Sequence, residues 1–238
     1  MNQTALITGA SKRIGKSIVR HLAARGWNVV IHYNRSGSEA LALVNDLRLK
    51  YPQQLFSEVA ANLANSKEVQ ALIPGIVKQQ GAFDLLVNNA SVFNAGRFRE
   101  TSEDLLSNQF DVNFKAPFLL MRDFAKYCTK GNIINFVDTR ITRNKSDYSA
   151  YTLSKKALWE ASKMVALECA PQIRVNAIAP GVTLAPVDKG EEYLQNLAQT
   201  IPMKKPGGVE PILKSIDYIL ENNYLTGQLL FADGGENL

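Results

Sequence analysis

Short apolar runs alternate with amphipathic helical patterns along the whole of this 238-residue chain. The runs at 4–7, 28–33, 55–59, 83–87, 132–137, 173–178 and 228–231 have the length and the Val, Ile and Leu content of strands. Helical periodicity covers 14–24, 38–49, 66–79, 104–126, 148–169 and 211–220. Apolar strands separated by helices are typical of a parallel sheet that is buried on both faces. The order therefore predicts a single α/β domain over residues 1–238, with about seven parallel strands and helices on both faces.

Composition argues against several other classes of protein. Hydrophobic residues make up 46% of the chain and charged residues 21%, which is ordinary for a globular protein. The net charge of +5 is spread over amphipathic segments without a nucleic-acid-binding module, so we expect no nucleic-acid partner. No apolar run approaches the roughly 18 residues that span a bilayer, and the N-terminus lacks the pattern of a signal peptide. We expect a soluble cytoplasmic protein with no membrane partner.

The two cysteines, Cys128 and Cys169, are isolated in sequence and lie in apolar helical contexts. Neither belongs to a C-x-x-C motif, so two buried, reduced thiols are favoured over a disulfide or a metal site. We expect no bound metal.

A glycine-containing loop, T-G-A-S-K-R-I-G, follows the first predicted strand. Gly9 permits a tight turn, and Gly15 permits close packing of the next helix against the strand. Free backbone N–H groups at the start of that helix form a site for a pyrophosphate. Arg13 stands where a third glycine is expected, and its guanidinium can bind phosphate through two hydrogen bonds. The alternative is a solvent-facing arginine, which we consider less favourable beside an anion site.

Small and polar residues follow the predicted strands, namely Gly9, Asn34, Asn89, Asp138 and Pro180. The carboxyl ends of parallel strands meet at one edge of a sheet, and ligands bind at that edge. These residues are therefore expected to converge on one site.

The end of the second strand distinguishes between nicotinamide cofactors. An NAD site usually has Asp or Glu there for the ribose hydroxyls. This chain has H-Y-N-R-S over 32–36, with no carboxylate before Glu39. Arg35 and Ser36 would bind a 2′-phosphate that a carboxylate would repel, which predicts NADPH as the cofactor. The alternative is a polar turn that binds no ligand.

Tyr151 and Lys155 are four residues apart in Y-T-L-S-K and share one face of a predicted helix. A free tyrosine titrates near ~10, and a neighbouring cation favours the phenolate. We therefore expect Lys155 to lower the pKa of Tyr151, which would act as a proton donor. Asp138 lies upstream, after the fifth predicted strand, and would offer a second titrating group. Its alternative role is to cap a turn.

These residues belong to motifs that occur in a familiar order, and the chain resembles the short-chain dehydrogenases/reductases over essentially its whole length. The motifs are T-G-A-S-K-R-I-G, N-N-A at 88–90, D-V-N-F-K-A-P-F at 111–118, Y-T-L-S-K, P-G at 180–181 and D-G-G at 233–235. The resemblance implies a Rossmann-like, doubly wound subunit that assembles into tetramers or dimers and acts as an NADPH-dependent oxidoreductase.

The resemblance also implies roles for individual residues. Tyr151 would be the proton donor, Lys155 would lower its pKa and bind the nicotinamide ribose, and Asn113 would hold a water in a proton relay. The implied catalytic set also includes Asp138. Cofactor contacts are expected from Gly9, Arg13, Ile14, Gly15, Asn34, Arg35, Ser36, Asn62, Leu63, Asn89, Ala90, Ser91, Tyr151, Lys155, Pro180 and Gly181.

Three details resemble the pteridine reductases and the related dihydromonapterin and dihydrofolate reductases of the short-chain type. Asp138 stands where the family usually has serine, Arg13 replaces the middle glycine, and Ser91 and Phe93 follow N-N-A. In that subgroup the phenylalanine stacks on the pterin, and the arginine and serine contact cofactor and pterin. The resemblance thus implies substrate contacts from Arg13, Ser91, Phe93, Asp138 and Tyr151.

An aspartate suits a dihydropterin for a chemical reason. Reduction of its C=N bond adds hydride to carbon and a proton to nitrogen, and its amino and ring N–H groups are donors that a carboxylate accepts. Two segments depart from the family pattern. Asn62 stands where aspartate is common beside the adenine, and 182–199 is interpreted as a polar substrate loop.

Three functions stay open at this point. The first is NADPH-dependent reduction of the C=N bond of a dihydropterin or dihydrofolate, and the natural pterin is left open. The second is reduction of a carbonyl or 3-oxoacyl thioester by an enzyme that happens to carry aspartate. The third is a non-catalytic regulator that binds NADPH, which the intact Tyr151, Lys155 and Asn113 argue against.

Overall fold

Seven strands in the described part of the chain form one parallel sheet, in the order β3-β2-β1-β4-β5-β6-β7. The structure is a computed structural model that describes residues 3–185 and 189–238. The strands are β1 (Thr4–Ile7), β2 (Asn28–Tyr33), β3 (Phe56–Ala60), β4 (Leu85–Asn88), β5 (Gly131–Phe136), β6 (Ile173–Pro180) and β7 (Leu229–Ala232). The helices are α1 (Arg13–Ala24), α2 (Gly37–Lys50), α3 (Ser66–Gln80), α4 (Glu103–Phe110), α5 (Ala116–Tyr127), α6 (Ser149–Cys169), α7 (Glu191–Ala198) and α8 (Glu210–Glu221). This arrangement confirms the Rossmann-like, doubly wound α/β prediction.

Helices cover both faces of the sheet and create two apolar cores. Helices α1, α2 and α8 pack on one face, around Ile7, Ile31 and Ile134. Helices α3, α5 and α6 pack on the other face, around Leu6 and Leu86. Leu6 and Ile7 are consecutive and fully buried in different cores, because side chains alternate along a strand. Burial on both faces explains why the strands read as continuous apolar runs.

The order of strands changes direction between β1 and β4. Strands β2 and β3 extend the sheet to one side of β1, and β4 to β7 extend it to the other. The amide of Thr8, directly after β1, donates to the carbonyl of Val87 in β4 at 3.0 Å. Beyond this bond the segments that follow the two strands separate. The crevice that opens beyond this bond is the usual ligand site of a doubly wound sheet.

Helix α5 is preceded by one wide helical turn. Residues Asp111–Lys115 form π-helix, in which the amide of Ala116 donates to the carbonyl of Asp111, five residues earlier. Pro117 has no N–H to continue an α-helical ladder, which accounts for the wide turn before it. The predicted helical region 104–126 is therefore two helices joined by a turn that carries Asn113.

The segment after β6 differs from its prediction as a polar loop over 182–199. Residues Glu191–Ala198 form α7, and Leu194 and Ala198 are buried with Val182 and Ile201 in a small separate core. These two apolar residues are four apart, as a helix requires, but polar neighbours obscure the pattern. Residues 186–188 of the predicted loop lie outside the described residues.

Both cysteines are free thiols, as predicted. Cys128 is buried in the core as predicted, whereas the prediction of burial is wrong for Cys169, which lies half-buried at the end of α6. Within residues 3–185 and 189–238, no helix combines the length and the apolar character needed to cross a membrane.

Candidate active site

The turn after β1 brings two backbone segments into close contact. Gly9 has a φ of +61°, and a Cβ on it would lie 2.9 Å from the Cα of Ala90. A Cβ on Gly15 would lie 2.2 Å from the carbonyl oxygen of Gly9. Asn89 fastens this turn, because its Nδ2 donates to the carbonyls of Thr8 at 2.9 Å and Gly9 at 3.1 Å. Only glycine fits these two positions without displacing the backbone.

Arg13 adopts the backbone conformation that a glycine would favour. Its φ is +51°, in the left-handed region that costs a non-glycine residue about 1–2 kcal/mol. This left-handed conformation is the physical reason why a third glycine is expected at the position of Arg13. The guanidinium Nη2 donates to the carbonyl of Ala185 at 2.8 Å, so Arg13 spans from α1 to the segment after β6. The side chain lines both the cavity beside the turn and the cavity beside Tyr151.

His32 is a residue of this site that the sequence reasoning missed. Its Nδ1 accepts from the amide of Gly9 at 3.1 Å, and its Nε2 donates to the carbonyl of Ala61 at 3.0 Å. Burial lowers the pKa of His32 from 6.5 to about 4, and the bond to Ala61 opposes this shift. The ring is therefore neutral at pH 7 and links the turn after β1 to the chain after β3. A histidine within an apolar run was the available signal.

The end of β2 lines a cavity of about 560 Å³. Its walls include the predicted cofactor residues Asn34, Arg35 and Ser36. Lys12, which the sequence reasoning did not select, also lines it and binds Glu39 at 2.7 Å. The nearest carboxylate after β2 is thus held by a lysine, and Arg35 forms no salt bridge among residues 3–185 and 189–238.

A second cavity, of about 380 Å³, extends from the turn after β1 to the end of β3. Asn62 and Leu63 lie in its wall. The Oδ1 of Asn62 accepts from the amide of Ala64 at 3.1 Å, so the residue caps its own loop. The remaining predicted cofactor residues in this wall are Gly9, Arg13, Ile14, Gly15, Asn34, Asn89, Ala90 and Ser91.

Asp138 uses its two carboxylate oxygens for different purposes. Oδ1 accepts from the amide of Arg140 at 2.8 Å and caps the 3₁₀ turn Thr139–Thr142. Oδ2 accepts from the phenol of Tyr151 at 2.7 Å. Asp138 therefore has both of the roles that were considered as alternatives: it caps a turn, and it contacts Tyr151.

The electrostatics of Tyr151 differ from the expectation that Lys155 lowers its pKa. Burial and the negative charge of Asp138 raise the pKa of Tyr151 well above its usual value. The ammonium of Lys155 lies 5.9 Å from the centre of the tyrosine ring and donates to the carbonyl of Phe136 at 2.8 Å. Burial lowers the pKa of Lys155 from 10.5 to about 8, against the attraction of Asp138. Tyr151 thus holds its proton firmly at neutral pH.

Asn113 lies behind the cavity rather than in its wall. It is fully buried, and its Oδ1 accepts from the Oγ of Ser91 at 3.0 Å and from the amide of Val92 at 2.9 Å. Its Nδ2 donates to the carbonyl of Val92 at 2.9 Å. In this structure Asn113 fixes the chain after β4, from which Ser91 and Phe93 extend.

Phe93 is 53% exposed and lies among aromatic rings. It stacks on Tyr148 with ring centres 4.3 Å apart and an angle of 2°, and meets Tyr151 nearly perpendicularly at 4.6 Å. The backbone supports this contact, since the amide of Gly96 donates to the carbonyl of Asp147 and the amide of Ser149 donates to the carbonyl of Gly96. Tyr148, seven residues before Lys155, was set aside in favour of Tyr151 in the sequence analysis, and the structure places its ring against Phe93.

A third cavity, of about 360 Å³, lies beside Tyr151. It brings together all five predicted substrate residues, both predicted P-G residues and Lys155. Thr183 and Leu184 also line this cavity; they belong to the predicted substrate loop over 182–199, although the sequence analysis did not select them individually. The lining residues are Arg13, Ile14, Asn89, Ser91, Phe93, Phe136, Val137, Asp138, Tyr151, Lys155, Pro180, Gly181, Thr183 and Leu184.

Comparison with known sequences gives matches over almost the full chain. The family model described as enoyl-(acyl carrier protein) reductase matches residues 9–237. Pteridine reductase 1 of Leishmania tarentolae is 29% identical over 278 residues, covering 98% of this chain and 96% of that protein. The 3-oxoacyl-(acyl-carrier-protein) reductase FabG of Staphylococcus epidermidis is 29% identical over 243 residues, covering 99% of each.

Comparison with solved structures gives a similar result. FolM alternative dihydrofolate reductase 1 from Brucella canis, crystallised with NADP, superposes with a TM-score of 0.92 and 35% identity. The match covers 99% of this chain and 94% of that chain. The chain therefore belongs to the short-chain dehydrogenase/reductase family, in the subgroup similar to pteridine reductases and FolM-type alternative dihydrofolate reductases.

Proposed function

We propose that this protein is an NADPH-dependent reductase of the C=N bond of a dihydropterin or dihydrofolate. The observation that carries the proposal is the 2.7 Å bond between Tyr151 and Asp138, with Phe93 at 4.6 Å from the same tyrosine. This combination offers an acid, a carboxylate acceptor and an aromatic surface within one cavity. A heterocycle that carries both an imine nitrogen and N–H donors matches all three.

The residues of the cofactor site fit NADPH. The turn between β1 and α1 has no room for a Cβ at Gly9 or Gly15, which suits a close approach by a pyrophosphate. Helix α1 begins without a side-chain cap at its N-terminus, so its backbone N–H groups can bind an anion. Arg35 and Ser36 line the cavity where a 2′-phosphate would bind. The NADP in the Brucella canis structure supports the same cofactor for this chain.

The bound nicotinamide would supply the hydride, and the protein's own residues would deliver the proton. In the structure, Asp138 accepts the O–H of Tyr151. N–H groups of a pterin would compete for that carboxylate, because an ionised carboxylate is an acceptor only. Tyr151 would then turn its O–H toward the ring nitrogen that receives the proton. Lys155, fixed on Phe136, would hold its charge beside the nicotinamide ribose.

The second candidate is a reductase of carbonyl compounds or 3-oxoacyl thioesters. The FabG relatives at 29% identity support it, since they match as much of the chain as pteridine reductase 1 does. The position of Asp138 favours the pterin. A serine hydroxyl donates a hydrogen bond to a carbonyl oxygen, whereas a carboxylate faces that oxygen with like charge. A non-catalytic NADPH-binding regulator is the third candidate, and the assembled Tyr151 and Lys155 argue against it.

The test is a substrate panel with one preparation of the protein. Consumption of NADPH and of NADH is measured with dihydrobiopterin, dihydromonapterin, dihydrofolate and an acetoacetyl thioester. We expect turnover of at least one pterin, with NADPH preferred. Turnover of the thioester alone would overturn the pterin assignment, and equal use of NADH would overturn the cofactor assignment. Binding of NADPH without turnover of any compound would favour the regulator.

We further propose that residues 1–238 form one domain and that this domain assembles into a tetramer or dimer. Helices α5 and α6 support an interface, because Phe118, Leu153 and Leu167 are large apolar residues exposed on them. Light scattering after size-exclusion chromatography gives the molar mass directly. A monomer at micromolar concentration would contradict the assembly.

A further inference from the structure

The loop after β3 is held in one conformation by its own side chains. Glu68, in the first turn of α3, accepts from the amide of Asn62 at 2.7 Å with Oε2 and from the Nδ2 of Asn65 at 2.8 Å with Oε1. The carbonyl of Asn62 accepts from the amide of Asn65 at 2.8 Å. The Oδ1 of Asn62 accepts from the amide of Ala64 at 3.1 Å. The backbone and the side chain of Asn62 are therefore both fixed.

The bond to Ala64 determines which end of the Asn62 amide a ligand meets. A backbone N–H can donate only to the oxygen, so the Oδ1 faces Ala64 and the Nδ2 points away from it. This Nδ2 forms no hydrogen bond with the residues in 3–185 and 189–238. Asn62 is exposed, and it lies in the walls of both the cavity of about 380 Å³ and the cavity of about 560 Å³. It therefore presents a hydrogen-bond donor to these cavities.

The two cavities share part of their walls and form one groove. The shared residues are Gly9, Lys12, Asn34, Asn62, Val92 and Val112. In the proposed cofactor site, the pyrophosphate lies at the turn after β1 and the 2′-phosphate lies at Arg35 and Ser36. The purine base is attached to the same ribose as the 2′-phosphate, so it needs apolar walls near that end of the groove. The apolar residues that line the groove together with Asn62 include Leu63, Ala64, Val92 and Val112.

Carboxylates are missing from the walls of this groove within the described part of the chain. Glu68 bonds the loop through both of its oxygens, and Glu39 is bound to Lys12. The position of Glu68 also explains why asparagine suits residue 62, because an aspartate there would add a second negative charge beside the first. The amino group of a base that contacts Asn62 would thus meet a donor rather than a charged acceptor.

We infer that Asn62 contacts the purine base as a donor, and that the protein therefore binds a cofactor with a 6-oxo purine about as well as one with adenine. The inference rests on the cofactor of the proposed function and specifies how its base is recognised. Adenine has the acceptor N1 beside its 6-amino group, and hypoxanthine has an oxygen in place of that amino group. The Nδ2 of Asn62 can donate to N1 of the first base or to O6 of the second. A site discriminates strongly only when it is built to bond the group that differs.

The test measures binding rather than turnover. Isothermal titration calorimetry without substrate gives Kd for NADPH and for its 6-oxo analogue, reduced nicotinamide hypoxanthine dinucleotide phosphate. For the unmodified protein we expect the two Kd values to agree within about threefold. Comparing two ligands on one protein removes any general loss of affinity or of folded protein from the result.

Asn62→Asp is the decisive variant, because it exchanges the donor for an acceptor and keeps the shape of the side chain. One oxygen can still accept from the amide of Ala64, and the other takes the place of Nδ2. We expect the analogue to bind this variant roughly tenfold more weakly than NADPH does, since a charged acceptor bonds the amino group of adenine and repels the oxygen of hypoxanthine.

Asn108→Asp is the matched control. Asn108, on α4, also lines the cavity of about 560 Å³, so this variant adds an equal negative charge to the same groove. It should weaken both dinucleotides to a similar degree, because it repels their phosphates, and leave the ratio of the two Kd values unchanged. An equal change of the ratio in both variants would assign the effect to charge in the groove and overturn the contact with Asn62.

The other outcomes separate this inference from the proposed function. If the analogue binds the unmodified protein at least about tenfold more weakly than NADPH, the amino group has an acceptor. If Asn62→Asp leaves the ratio unchanged, Asn62 does not contact the base. Either result overturns the inference and leaves the proposed function intact. If neither dinucleotide binds, the proposed function fails and this inference with it. If NADPH binds and no pterin is reduced, the pterin assignment fails alone.

Discussion

The phenol of Tyr151 donates to the Oδ2 of Asp138 at 2.7 Å, and this bond fixes the direction in which the tyrosine points its proton. Burial, and after it the neighbouring carboxylate, disfavours the phenolate, so the pKa of Tyr151 rises rather than falls. Tyr151 is therefore protonated at neutral pH, and its O–H is directed at Asp138. The O–H becomes available to a substrate only when another donor takes its place on that carboxylate. Substrates with N–H groups can do this, and simple ketones cannot.

Replacing Tyr151 with phenylalanine removes the proposed acid and keeps the ring that meets Phe93 edge-on. We expect Tyr151→Phe to lower kcat about 10²- to 10⁴-fold, the usual contribution of a positioned proton donor. NADPH binding, followed by quenching of protein fluorescence, should change little. A rate equal to that of the unmodified protein would refute the role of Tyr151.

Changing Asp138 to serine should move specificity away from pterins. We expect Asp138→Ser to lower kcat/KM for the best pterin on the order of 100-fold and to leave thioester reduction equal or higher. Asp138→Asn is the matched control, because its Oδ1 can still cap the turn at Arg140 while the charge is lost. If Asp138→Asn reduces the pterin as fast as the unmodified protein does, the negative charge of Asp138 is not required.

The pH dependence of kcat/KM should report Lys155 in the free enzyme. Its pKa is lowered to about 8, so the ammonium is charged below that pH and neutral above it. We expect kcat/KM to be flat up to about pH 8 and then to fall about tenfold per pH unit. Lys155→Arg keeps a cation at all these pH values, so the surviving activity should lose this limb. A limb at the same pH in that variant would assign it to another group.

His32 should make the fold sensitive to moderate acid. Its pKa is about 4 in the folded protein and 6.5 unfolded, so the unfolded chain binds more protons between these values. Stability due to this group is complete above pH 6.5 and is lost as the pH falls to 4, by about 3 kcal/mol. His32→Asn should flatten this part of the curve of unfolding free energy against pH. His32→Leu should in addition raise KM for NADPH, because leucine leaves the amide of Gly9 without its acceptor.

Arg35 should decide between the two nicotinamide cofactors. Arg35→Asp places a carboxylate where a 2′-phosphate would bind, and like charges in contact cost several kcal/mol. We expect the ratio of kcat/KM for NADPH over NADH to fall on the order of 100-fold, and Arg35→Ala to give an intermediate ratio. If the NADPH/NADH ratio of kcat/KM is unchanged in both variants, the 2′-phosphate binds elsewhere, and Lys12 is the next residue to substitute.

The fold was largely predictable because its signals are local. The five inner strands are largely buried on both faces and so read as apolar runs, and each glycine of the first turn lies where a Cβ would collide. Helix α7 escaped prediction because its small core depends on Val182 and Ile201, which lie outside the helix. Its own residues have too few apolar positions for a clear pattern.

Which residues form the site could be predicted from the sequence, but the contacts that set their pKa values could not. The motif spacing placed Tyr151 near Lys155, but it carried no information that Lys155 turns to Phe136 or that Asp138 receives the phenol. Burial and the contact with Asp138 set the direction of the pKa shift of Tyr151, and both depend on residues distant in sequence. For the same reason His32 was missed and Tyr148 was set aside in favour of Tyr151, since each acts through partners distant in sequence.

The two hydrogen bonds between Gly96 and the start of α6 have a mechanical consequence. They hold the backbone of the segment that carries Phe93 against the start of the helix that carries Tyr151. The two ring centres are 4.6 Å apart, so a flat substrate cannot enter between the rings and must contact them from the cavity that both line. Bulkier substrates must be accommodated on the opposite side, where Thr183 and Leu184 form the wall.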